Sequence, residues 1–84
     1  MAKVEWTEDA IKDLNKLDKE IADRVLKKIS WLSDNFKNII PEPLSEELKG
    51  MFKLRIGSWR AIYTIENQII VIYYIGHRKD IYKR

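Results

Sequence analysis

The 84-residue sequence predicts an α+β domain in the order βααβββ, an N-terminal helical hairpin packed on one face of an antiparallel sheet. Three observations predict it. Up to Phe36 apolar residues recur every three or four positions, whereas from Met51 onward they recur every two. Between two such alternating runs lies Gly57-Ser58, the chemistry of a two-residue hairpin loop with glycine at its first central position. The length fits a single domain, residues 1 to 84.

Taken in order, "KVEW" (residues 3 to 6) alternates and reads as a first strand. Thr7 is a good N-cap, and Glu8 and Asp9 suit the first turn of a helix. That helix is expected to bury Ile11, Leu14 and Leu17. Asp18 caps a second helix whose apolar stripe is Ile21, Val25, Ile29, Leu32 and Phe36. Trp31 falls off this stripe and is expected to pack under the following segment, residues 37 to 47, read as a loop from Asn38, Pro41 and Pro43. Closing the hairpin at Gly57-Ser58 fixes a register: Ile56 opposite Trp59, Arg55 opposite Arg60, Leu54 opposite Ala61, Lys53 opposite Ile62, Phe52 opposite Tyr63. After a turn near Glu66 and Asn67, "NQIIVIYYI" is apolar on both faces and reads as a central strand, with Arg60 expected beside Tyr73 or Ile75.

Composition narrows the function. The chain is 45% hydrophobic and has no cysteine, which describes a globular protein without disulfides or thiolate metal sites. One histidine leaves no credible transition-metal site, and no cofactor is expected. No apolar run is long enough to span a membrane, and residues 1 to 20 do not read as a signal peptide, so a cytoplasmic location is expected. Charge is divided unevenly. Residues 1 to 48 hold 8 Lys/Arg against 11 Asp/Glu, and residues 49 to 84 hold 8 against 2. A second half at net +6 points to a polyanion or an acidic partner.

The hairpin register places Arg55 directly across from Arg60, with Lys53 on the same face. Like charges directly opposed on a sheet are destabilising, so Arg55→Glu is expected to leave the fold as stable or slightly more so. An anion such as phosphate would complete the arrangement, since arginine makes bidentate phosphate contacts. The closing "YYIGHRKDIYKR" adds His77, Arg78, Lys79, Tyr82 and Lys83, and Gly76 allows a turn that carries them over the same face. Cations interleaved with an aromatic ring suit single-stranded RNA. Arg55, His77, Lys79 and Lys83 are accordingly candidate RNA-binding residues. A lysine crowded by arginines is expected to have a depressed pKa.

Three stretches, "VEWTEDAIKDLNKL", "LKGMFKLRIGSWRAIYTI" and "IGHRKDIYKR", resemble the RelE/ParE superfamily of toxins from toxin–antitoxin pairs, closest to RelE-type members. The resemblance covers nearly the whole chain and implies a RelE-like fold. It implies a ribosome-dependent mRNA endoribonuclease that needs no metal, in which the ribose 2′-OH attacks the adjacent phosphate to leave 2′,3′-cyclic phosphate and 5′-OH ends. Carried over by position, Lys53 matches a base or charge stabiliser and Arg60 the arginine that stabilises the transition-state phosphate. Arg78 matches the proposed general acid, Tyr82 a tyrosine that stacks on the substrate, and Arg55 a supporting phosphate contact. Where better-studied members have a second lysine this chain has Met51, which leaves the base unassigned, with His77 as a stand-in. The implied partners are a RelB-like antitoxin, in a heterotetramer as one assembly, and the ribosome with its mRNA. A reading from a different class is a ParE-like, non-catalytic inhibitor of DNA gyrase; a third is a plain RNA-binding module.

Overall fold

The switch in hydrophobic period marks the boundary between two layers. In the computed structural model, which describes every residue except Met1, Glu46, Lys49 and Arg84, strand β1 (Lys3–Trp6) leads into helices α1 (Glu8–Asn15) and α2 (Lys19–Asp34). A 3₁₀ turn (Phe36–Asn38) and a two-residue strand β2 (Glu42–Pro43) follow, then β3 (Phe52–Ile56), β4 (Trp59–Glu66) and β5 (Ile69–His77). A last 3₁₀ turn covers Ile81–Lys83. Among the described residues no helix is long and apolar enough to cross a membrane.

The sheet order is β1-β5-β4-β3-β2. Strands β3 to β5 are antiparallel neighbours as expected; β2 adds an antiparallel edge strand within the segment read as a loop, and β1 joins β5 in parallel, so the sheet is mixed. The second edge of β5 takes up β1, Lys3 to Trp6 against Ile69 to Ile72, which makes β5 an interior strand as its two apolar faces suggest. Both outer strands are short and β2 carries Pro43, which blunts the edges against further pairing.

Each helix packs on the sheet, α1 against β5 and α2 against β3. The α2 stripe lies in the core as predicted: Val25, Ile29 and Leu32 are buried, with Ile21 and Phe36 packed at their margin. Leu14 of α1 and Leu17 in the connection after it join them, but on α1 Ile11 is exposed and Ala10 is fully buried in its place. A small side chain lets this eight-residue helix approach β5 closely. Thr7 caps α1, its Oγ1 accepting from the Ala10 N–H at 3.1 Å. Asp18 occupies the N-cap position of α2 without a side-chain cap bond.

The β3–β4 register is the predicted one at all five pairs. Gly57 turns it with φ +58° followed by a residue at negative φ, as a type II′ loop requires. Asn67 and Gln68, both at positive φ, close β4 onto β5 in the type I′ manner. The β4–β5 ladder then departs from the expectation. A bulge at Tyr73 sets Tyr63 opposite Ile72 but Ile62 opposite Tyr74, so Arg60 pairs with Gly76 and the strand runs on to His77. Helix α1 holds the bulge in place. Thr7 Oγ1 donates to the Tyr73 carbonyl at 2.7 Å, and Asp13 Oδ2 accepts from the Ile75 N–H at 2.9 Å. Backbone groups displaced from the ladder thus find side-chain partners.

Candidate anion site

On the helix-covered face, Phe52, Leu54 and Ile56 of β3 enter the main core; their alternates Lys53 and Arg55 emerge on the opposite, open face. Part of that open face is covered by a second small apolar cluster of Leu44, Ile62 and Ile81, flanked by Met51 and Tyr74. Ile81 is 1% exposed, so the tail is anchored at this residue. Gly76 makes this possible: a Cβ there would stand 3.0 Å from Ile81 Cδ1. A second tether is the Arg78 N–H, which donates to the Ser58 carbonyl at the hairpin tip at 2.8 Å. Between these tethers the tail runs back across the open face and delivers Tyr82 to Lys53.

Lys53 Nζ donates to the Tyr82 hydroxyl at 3.0 Å and lies 5.5 Å from the ring centre. On its other side it meets Glu42 Oε2 at 3.4 Å. Glu42 in turn accepts a fork from Arg55, Nε to Oε1 at 2.8 Å and Nη2 to Oε2 at 2.7 Å. The Arg55 fork, followed by Lys53, holds the Glu42 carboxyl down to about 2 against the opposing effect of desolvation. Lys53 is held above the ordinary lysine value, first by its bond to Tyr82, with Glu42 adding to it. This reverses the expected depression, because the groups that touch Lys53 are a phenol and a carboxylate and not the arginines.

The opposition of Arg55 and Arg60 is real, but it is relieved from both sides. Arg55 leans outward to Glu42. Arg60, only 7% exposed, folds back so that Nη1 donates to the Gly57 and Trp59 carbonyls, each at 2.8 Å. It has no ion pair among the described residues, and its two acceptors are neutral carbonyls. Arg55→Glu would now bring a second carboxylate against Glu42. We expect it to lower the melting temperature in place of raising it, and a variant as stable as the parent would show that the Glu42 fork does not persist in solution.

The expected place of His77 is corrected. The bulge turns His77 to the helix-covered face, where its ring stands edge-on to Trp59 at 5.4 Å and its Nδ1 accepts from the Lys79 N–H. It therefore lies on the opposite sheet face from Lys53, Arg55 and Arg60. The Met51 position is itself taken up by packing against the second cluster. Arg78, Lys79 and Lys83 are exposed on the tail, with no ion pair among the described residues.

Sequence reasoning missed Glu42, which lay in the segment read as a loop; β2 joins it to Lys53 in the β2–β3 ladder, and Leu44 N donates to the Met51 carbonyl. It also missed a basic face on α2. Trp31 is 43% exposed instead of packed away, with Lys28 Nζ 3.8 Å from its ring centre. A pocket of about 210 Å³ runs from Trp31 and Ile40 to Glu42, Lys53 and Arg55. Beyond it, a groove of about 450 Å³ adds Arg24 and Lys27 beside Gly57. The spacing of 24, 27, 28 and 31 was the available signal, since it places all four on one helix face.

With the fold and this cationic face described, comparison with known proteins is decisive. Residues 4–82 match the model of the ParE toxin of the type II toxin–antitoxin system parDE. The chain belongs to the RelE/ParE family of type II toxins. It is 34% identical to Toxin RelG of Mycobacterium tuberculosis over 83 residues, 96% of this chain and 95% of that one. A putative RelE-like toxin protein of Escherichia coli is also 34% identical, over 94% of this chain and 87% of its own length. Among solved structures, the RelBE2 toxin–antitoxin complex of M. tuberculosis aligns with a TM-score of 0.78 at 32% identity, covering 92% of this chain and 98% of that one. The isolated E. coli RelE toxin aligns at 0.76 over 92% and 84%, and at 14% identity it speaks for the fold alone. In this RelE/ParE toxin the mixed five-stranded sheet with two covering helices is thus the family architecture.

Proposed function

We propose that this toxin is a ribosome-dependent endoribonuclease that cuts mRNA in the A site to 2′,3′-cyclic phosphate and 5′-OH ends. The observation that carries the reading is the open face itself: Lys53 and Arg55 already close around a bound carboxylate, beside Tyr82 and the uncompensated charge of Arg60. A phosphodiester presents the same paired oxygens to the guanidinium fork.

As the 2′-OH attacks, its proton passes to solvent water and the scissile phosphate goes through a more highly charged phosphorane. Fixed cations bind that species better than the ground state, before the bond to the 5′-oxygen breaks. Lys53, strongly protonated, serves as a charge stabiliser. Arg55 binds the phosphate, and Arg60 adds charge from beneath the tail. In this reading Arg78, exposed beside the hairpin tip, protonates the leaving 5′-oxygen, and the Tyr82 ring stacks on a base. Lys79 and Lys83 track the flanking phosphates. Catalysis here is positioning and charge, and the ribosome supplies the positioning that so small a protein lacks. The site of action is then the cytoplasm.

The structures of relatives bound to antitoxins, such as the RelB–RelE complex of Methanococcus jannaschii, support a RelB-like antitoxin as partner here. An acidic segment of it covering the open face would use the same cations, and a heterotetramer is the assembly we favour. The match to the ParE model favours a second reading, gyrase inhibition without catalysis. End-group analysis on programmed ribosomes separates the two. Cyclic phosphate ends, abolished by a deoxy substitution at the attacking ribose, are expected; 3′-OH ends, or inhibited supercoiling with intact mRNA, would overturn the nuclease reading.

A further inference from the structure

The Glu42 carboxylate occupies the place where a phosphate would be held. Three donor atoms from two neighbouring positions of β3 converge on it: Arg55 Nε, Arg55 Nη2 and Lys53 Nζ. This is the fork-plus-cation geometry with which proteins grip a phosphodiester. One anion can use those donors at a time. The residue that supplies it is also lightly held. Glu42 sits on a two-residue edge strand that pairs with β3 at Lys53 and Phe52, with one further main-chain bond from Leu44 to Met51, between Pro41 and Pro43 and two positions from the solvated Ile40.

We infer that Glu42 is a built-in competitor for the RNA phosphate, filling the Lys53–Arg55 site in the free toxin and swinging out when a phosphodiester takes its place. The inference rests on the RNA reading of the site but not on cleavage. Its consequences are two. In the free protein the carboxylate spares Lys53 and Arg55 from repelling each other, and it turns away weakly held or singly coordinating anions. A phosphate held at several points at once, as in a positioned RNA strand, displaces it. Acidity near neutral pH does not open the site, because the carboxyl stays ionised down to about 2. Only a rival anion does.

The test is equilibrium binding of a short oligoribonucleotide with 2′-O-methyl groups throughout, which the 2′-attack cannot cleave. Glu42→Gln keeps the shape and removes the charge. It is expected to bind the oligonucleotide roughly fivefold tighter or more, the scale of releasing one well-formed exposed ion pair. Glu20→Gln, an exposed change of the same charge on α2, controls for net charge and is expected to leave the affinity near that of the parent. Equal tightening by both variants, no tightening by Glu42→Gln, or no binding by any of the three proteins would overturn the inference. A second readout needs no variant. The Arg55 Nε–H resonance of the unmodified toxin should shift on adding the oligonucleotide as its bond to Glu42 is exchanged, and an unmoved resonance with the oligonucleotide bound would equally sink the idea. If Glu42→Gln tightens binding while programmed ribosomes give no cyclic phosphate ends, the competitor stands and the nuclease reading falls.

Discussion

Replacing Arg78 by alanine is expected to lower the single-turnover rate of mRNA cleavage on programmed ribosomes by about a hundredfold or more, the scale of losing one positioned transition-state donor. The variant should fold as well as its parent. The Arg78 side chain is exposed, and the contact that matters to the fold is its backbone N–H on Ser58, which alanine keeps. Arg60→Ala should reduce the rate on the same scale but also destabilise, since it removes the two carbonyl contacts from an almost buried side chain. Comparing rate and melting temperature for both variants separates chemistry from scaffolding. A full rate with Arg78→Ala would remove this residue from the mechanism.

A second large effect is expected at a residue that touches no RNA. Ile81→Ala deletes a fully buried side chain from the small cluster under the tail, a change that costs about 2–5 kcal/mol in well-packed sites. The loss should be local first, freeing the tail from Gly76 before the main core fails. Tyr82 then leaves Lys53, and the cleavage rate should fall at least as far as in Tyr82→Ala. Hydrogen exchange at Arg78 and Lys83, whose N–H groups are bonded to Ser58 and Asp80, reports the detachment directly. Unchanged exchange together with unchanged cleavage would show that Ile81 does not hold the site.

Much of this architecture was legible because local chemistry dictates it. Gly57 fixes a turn, the turn fixes a register, and the register correctly set Arg55 against Arg60. What relieves that opposition was hidden. Glu42 reaches Arg55 across 13 positions of sequence, from a segment whose two prolines argue against any strand. The bulge at Tyr73 was equally silent. In "IIVIYYIGH" both alternating phases are apolar or aromatic, so nothing marks the inserted residue, and the single-residue change of phase sent His77 to the wrong face of the prediction. The direction of β1 could not be read either, since four residues carry no information about parallel or antiparallel pairing.

The cluster of Leu44, Ile62 and Ile81 is small, yet it ties the tail to the segment that carries Glu42. Leu44 follows directly on the strand that carries Glu42, and Ile81 directly precedes Tyr82. Both segments therefore hinge on one pin, set in the fixed wall at Ile62. Whatever lifts the tail strips apolar cover from Leu44, and whatever swings the Glu42 strand away strips it from Ile81. Latch and plug are thus mechanically geared, so the energy of releasing one is in part the energy of releasing both. An antitoxin that pried up the tail would at the same stroke loosen the internal anion, while a guest seated on Lys53 would reach the tail from the other end.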